Sequence, residues 1–176
     1  TARERFGDGV DPDVLRGALR IGQERAVTLG ALVEQMDFLF VDEQEFTIDP
    51  SSWERLEKTD RAREILDAVI EHVEASPWQS SEDLDIRPVF EKLGIKPRKA
   101  MHVIYTAVEG RAAGLPLFDS VYLLGRDRTL RRLRAVWGFR SWHSGMLLVP
   151  PVRRAATAIL AEDLLRSLIE RISRAV

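Results

Sequence analysis

The chain has 176 residues, 45% hydrophobic and 31% charged, a globular composition with enough apolar mass for one core or two small ones. It has no cysteine, which excludes a disulfide framework and any thiolate metal site, and no apolar run approaches the roughly 20 residues that span a bilayer. The formal net charge of −2 hides an asymmetry, because residues 1–94 hold 11 Lys/Arg against 22 Asp/Glu while residues 95–134 hold 9 against 3.

The charged start, Thr1 to Arg5, is no signal peptide and suggests a cut from something longer. Asp11-Pro12 is an N-cap followed by proline at the first helical position, and the helix is expected to run to about Thr28. A second, apolar helix is expected over 29–40, followed by a solvated acidic loop over 42–45. Asp49-Pro50 repeats the start signal, and one amphipathic helix is expected over 51–74, stopped by Ser76-Pro77. A shorter helix holds Val89, Phe90 and Leu93 and ends at Gly94. Lys96-Pro97 opens the next, which places Met101, Ile104, Tyr105 and Val108 on one face and stops at Gly110. A turn over 112–116 leads to an apolar helix ending at Gly125, and Asp127 caps a basic stretch from Arg128 to Arg134. Residues 137–152 lack periodicity, contain Gly138, Gly145, Pro150 and Pro151, and read as a linker or ordered loop. The last segment, 153–176, is amphipathic, with Leu160, Leu164, Leu168 and Ile172 on one stripe.

Every strong period is helical, so the expected fold is all-α: an acidic helical subdomain over 1–76, a basic one over 77–136, the linker, and a C-terminal amphipathic helix. The leucine stripe of that last helix needs a partner, either this chain's own core or a second copy in a homodimer.

The residues offer little chemistry. His72, His102 and His143 lie in three separate segments, none at a metal-ligand spacing from another. Glu82-Asp83 and Asp42-Glu43 read as caps and loops, and there is no Gly-rich phosphate loop. No catalytic or metal-binding residue is therefore assigned. What remains is a surface: Lys96, Arg98 and Lys99 at one helix start, Arg111 after its end, and Arg126, Arg128, Arg131, Arg132 and Arg134 crowded within nine residues. Arginine pairs with phosphate through a planar fork and stacks on unpaired bases. Cations at a helix start oppose its dipole, which hints at an external anion. Either a polyanionic partner or the acidic half of this chain must answer that charge.

The run Gly94-Ile95-Lys96-Pro97-Arg98-Lys99-Ala100, then 104–110, then Leu115-Pro116-Leu117-Phe118-Asp119-Ser120, then Leu123-Leu124-Gly125-Arg126-Asp127-Arg128-Thr129-Leu130, resembles the C-terminal region of bacterial glutamyl-tRNA synthetases. Gln23 to Leu29 and Phe38-Leu39-Phe40 resemble the preceding helical domain of that family, so the likeness covers about 10–136. It implies a class I synthetase whose catalytic domain, with its HIGH and KMSKS signatures and its use of ATP and magnesium, lies upstream; this chain carries no cofactor itself. It further implies a cytoplasmic protein that grips the anticodon loop of the glutamate isoacceptor tRNA, with anticodon-proximal roles for Lys96, Arg98, Lys99, Arg111 and the neighbourhood of Leu115 to Phe118; the crowded basic charge adds Arg126, Arg128, Arg131 and Arg132 as expected tRNA-binding residues. Two positions depart from the family pattern: Tyr105 stands where an Arg is common, and Glu109 stands where a Thr is. Residues 137–176 lie outside the likeness. The alternative reading is a free-standing tRNA- or protein-interaction module of the same fold, dimeric through 153–176. A third is the helical region of a class I lysyl-tRNA synthetase.

Overall fold

The computed structural model describes residues 11–23 and 29–141, and among them the architecture is all-α. The elements are α1 (Pro12–Gly22), α2 (Leu29–Met36) running into a 3-10 turn (Asp37–Leu39), α3 (Pro50–Glu57), α4 (Ala62–Ala75), a second 3-10 turn (Ser81–Leu84), α5 (Arg87–Lys92), α6 (Pro97–Glu109), α7 (Leu117–Leu124) and α8 (Arg126–Ser141). The tail helix expected over 153–176, most of the linker, and the first helix's expected end near Thr28 lie outside the described residues.

The start signals work as their chemistry requires. The Asp11 carboxylate accepts from the Asp13 amide at 2.8 Å, and that of Asp49 from the Ser52 amide at 2.8 Å. Each satisfies one of the amides a helix leaves unpaired at its start, with proline next in line. The Ser51 hydroxyl also donates to Asp49, and together with the Ser52 amide it holds the Asp49 carboxyl below the usual range. Gly110 ends α6 at φ +76°, and a Cβ there would lie 2.5 Å from the Thr47 carbonyl oxygen. Only glycine meets both demands, and the approach lets the Gly110 carbonyl accept from the Asp49 amide at 2.7 Å.

Three expected boundaries are corrected. The helix expected over 51–74 is two helices, α3 and α4, broken without glycine or proline. The Thr59 hydroxyl donates back to the Arg55 carbonyl at 2.8 Å, and Arg61 takes the left-handed conformation at φ +58°. The second helix stops at Met36 and tightens into the 3-10 turn. That turn buries Phe38 and Leu39 consecutively, and their carbonyls accept from Arg132 and Arg128. Residues 137–141, expected to belong to the linker, instead continue α8. Val136 is buried, Trp137 packs on the core beneath the Arg63 guanidinium, and a Cβ at Gly138 would meet nothing within 4 Å.

Among the described residues one hydrophobic cluster gathers buried side chains from Ala18 to Val136. At its centre is α6, with Ala100, Val103, Ile104, Ala107 and Val108 all at most 2% exposed. Being apolar on most sides, it packs against α3, α4, α5 and α8 at once. Contacts between α4 and α8 join the acidic and basic halves. Residues such as Phe90 and Leu66, both fully buried, each contribute about 2–5 kcal/mol by the usual cost of truncation to alanine.

Candidate nucleic-acid interface

The basic residues that looked like one surface in sequence fall into three places. Lys96, Arg98 and Lys99 sit exposed at the start of α6, where Lys96 is the N-cap residue but its side chain makes no capping bond. Arg111 lies beyond the other end of α6, about 20 Å away at 1.5 Å per helical residue. Arg126 donates to the Glu74 carbonyl at the far end of α4, and Arg134 pairs with the Glu74 carboxylate. Their anchor is again about 20 Å from the start of α4.

Several of these arginines are committed to the protein. Arg132 is 2% exposed. It donates to Glu43 Oε1 at 2.7 Å, to the Val108 carbonyl at 2.6 Å and to the Phe38 carbonyl at 2.9 Å. Its guanidinium also lies 3.7 Å from the Phe46 ring centroid. Arg128 donates to Glu43 at 2.7 Å and to the Leu39 and Val41 carbonyls at 2.6 and 2.8 Å. Burial alone would push the Glu43 carboxyl up, but hydrogen bonds and charge from Arg132 and Arg128 more than offset it and hold it down. Arg111 pairs with Asp37 and donates to the Glu34 carbonyl. Carboxylates of the acidic half thus answer Arg111, Arg128 and Arg132, Arg126 takes only the Glu74 carbonyl, and these four brace the 34–43 segment and the end of α4. Arg132 in particular is interior, against the expectation that it lies on a surface.

Lys96, Arg98, Lys99 and Arg131 are exposed, and none forms an ion pair among the described residues. The first three line an open groove of about 910 Å³, whose other wall is the end of α3 and the α3–α4 turn. That wall brings Arg55, Lys58 and Arg61, which sequence reasoning missed by averaging charge over the acidic half. Their spacing of three was the available signal, since it keeps Arg55 and Lys58 on one helix face.

His102 and Ile65 form the floor of this groove. The Thr59 hydroxyl spends its one proton on the Arg55 carbonyl, so its 2.8 Å contact to His102 Nε2 requires that nitrogen to donate. Nδ1 is then a bare acceptor, buried without a hydrogen bond. Burial, aided by the nearby Arg55 charge, lowers the His102 pKa. The floor is uncharged at neutral pH and the rim is cationic.

At the opposite end of α6, the Tyr105 hydroxyl donates to the Leu115 carbonyl at 2.9 Å, tying the 111–116 turn to the helix. Glu109 is 1% exposed, and its carboxylate occupies the space a side chain on Gly114 would need. These two departures from the family pattern are therefore part of the packing of that turn.

The described residues thus present an open groove with cationic rims, and no group of three or more metal-holding side chains occurs among them. The chain belongs to the anticodon binding domain family, whose model matches residues 2–137. It is similar to the glutamate–tRNA ligase of Saccharopolyspora erythraea, 42% identical over 127 residues, covering 70% of this chain and 25% of that protein. The glutamate–tRNA ligase of Rhodococcus jostii is 38% identical over 138 residues, covering 77% and 28%. Among solved structures, the fold is similar to a glutamate tRNA ligase from Elizabethkingia meningosepticum in complex with its amino acid. The TM-score is 0.64 at 15% identity, covering 78% of this chain and 27% of that one. The chain spans about a quarter of the length of the curated relatives it matches. No helix among the described residues is long and apolar enough to cross a membrane.

Proposed function

We propose that this chain holds the anticodon loop of a glutamate isoacceptor tRNA as the anticodon-binding part of a cytoplasmic glutamate–tRNA ligase. ATP, magnesium and glutamate act, in this proposal, on a catalytic domain upstream of it. The observation that carries the reading is the match of residues 2–137 to the anticodon binding domain. Support comes from the exposed Lys96, Arg98, Lys99 and Arg131, whose charge no described protein group neutralises. Arg111, Arg126, Arg128 and Arg132 serve by fixing the frame that presents those four. Single-stranded RNA loops suit such a surface, because their phosphates meet the cations while splayed bases remain free to be read.

The test is binding of a glutamate-tRNA anticodon stem-loop by fluorescence anisotropy across a salt series. Affinity is expected to fall with salt at a log–log slope of about −0.7 for each single-strand phosphate neutralised. The triple variant Lys96→Ala/Arg98→Ala/Lys99→Ala should bind at least roughly tenfold more weakly, with a shallower slope. Equal binding of the stem-loop by wild type and triple variant would remove the assignment.

A further inference from the structure

The groove beside α6 has two walls, and only one belongs to the basic segment. Its opposite wall carries Arg55 and Lys58 on the last turn of α3 and Arg61 in the α3–α4 turn. Six cations therefore rim a space that holds two carboxylates, Glu54 and Asp60. Glu54 is engaged with Lys58 and Glu64 holds the Arg61 guanidinium at 2.7 Å, whereas Arg55 forms no ion pair among the described residues. The walls are joined: Arg61 donates to the Leu93 carbonyl at 3.1 Å, and Thr59 bonds His102 of α6 at 2.8 Å. This cross-bracing fixes the separation of the rims before any ligand arrives.

We infer that this groove is a phosphate track in which Arg55 and Lys58 of the acidic half grip the RNA backbone opposite Lys96, Arg98 and Lys99, while Arg61, held by Glu64 and the Leu93 carbonyl, joins the walls. The inference rests on the tRNA reading above and adds a binding wall to it. The cations are spread along two rims and do not converge on one point, so the arrangement suits a chain of phosphodiesters better than a single small anion. The floor of Ile65 and neutral His102 presents little to hydrogen-bond a base edge. Contacts here position the RNA and carry no sequence information.

The test uses the full chain with Arg55→Ala/Lys58→Ala, which spares Arg61 because that residue joins the walls. Circular dichroism melting checks that the variant folds. Binding is read with the glutamate-tRNA stem-loop, with a stem-loop of altered anticodon, and with oligo-glutamate as competitor. The expected result is a loss of roughly fivefold to twentyfold, equal for both RNAs. The salt slope should be shallower by about 1.4 for two lost single-strand contacts. Arg16→Ala, an exposed cation on α1 remote from the groove elements, should bind as wild type does. If Arg55→Ala/Lys58→Ala binds unchanged while Lys96→Ala/Arg98→Ala/Lys99→Ala weakens binding, this inference falls and the tRNA reading stands. An equal loss in Arg16→Ala, or competition by oligo-glutamate as effective as by RNA, also overturns it. If wild type fails to bind either stem-loop, the reading falls and takes this inference with it.

Discussion

Replacing Arg132 with methionine keeps most of the side chain's length and removes its charge and donors. The guanidinium is 2% exposed and supplies hydrogen bonds to Glu43 and to the carbonyls of Phe38 and Val108. Breaking a buried ion pair from one side costs about 3–5 kcal/mol, because the remaining charge is left in low dielectric. Glu43 keeps Arg128 as a partner, which lowers that term, while each buried carbonyl left without a donor adds about 1–3 kcal/mol. The loss of the contact with the Phe46 ring adds to these, and the methionine's own burial recovers part. A net destabilisation of about 3–5 kcal/mol is expected. With a urea m value of about 2 kcal/mol/M, the unfolding midpoint should drop by roughly 1.5–2.5 M. A drop smaller than about 0.5 M would refute the claim that Arg132 braces the 38–43 segment against α6 and α8.

Glu43 sits across from that arginine with its carboxyl held low by Arg132 and Arg128 against the opposing effect of burial. A lowered folded pKa contributes stability above the ordinary value of 4.5 that is lost as pH falls through the folded value. Urea midpoints should therefore decline below pH 4.5 in wild type and decline less steeply in Glu43→Gln, which should itself be less stable at pH 7. For His102, whose pKa is lowered, the unfolded chain takes up the proton first as pH falls. Stability is then full above the ordinary value of 6.5 and falls below it, by at most about 1.4 kcal/mol per pH unit. His102→Gln, which retains a donor for Thr59, should flatten the profile between pH 5 and 6.5, and an unchanged profile would contradict the neutral assignment. Gly110→Ala should cost more than about 2 kcal/mol, since left-handed backbone and the close Thr47 carbonyl both oppose a Cβ. Thermal melting measures that loss directly.

Local rules made much of the fold legible in the sequence. Asp11-Pro12, Asp49-Pro50, Gly94, Gly110 and Gly125 mark helix ends because capping and left-handed backbone are properties of a few neighbouring residues. The apolar period of α6 likewise announced a buried face, though not that the helix is enclosed on most sides. The break at 58–61 was hidden, because a threonine hydroxyl bonding backward and an arginine at positive φ have no strong sequence mark.

Charge is where the tertiary structure overruled the one-dimensional view. Composition by itself determined that residues 95–134 carry an excess of cations that something must balance. It could not distribute that balance, because pairing joins groups as far as 60 to 94 positions apart, such as the Glu74 carboxylate with Arg134 or the Phe38 carbonyl with Arg132. Folding consumes Arg111, Arg128 and Arg132 internally, ties the exposed Arg126 to the Glu74 carbonyl, and leaves Lys96, Arg98, Lys99 and Arg131 outward. It also carries Arg55, Lys58 and Arg61 from the acidic half to the rim of the groove that the first three share. An electrostatic surface is set by which charges share a solvent boundary, and only three-dimensional packing decides that.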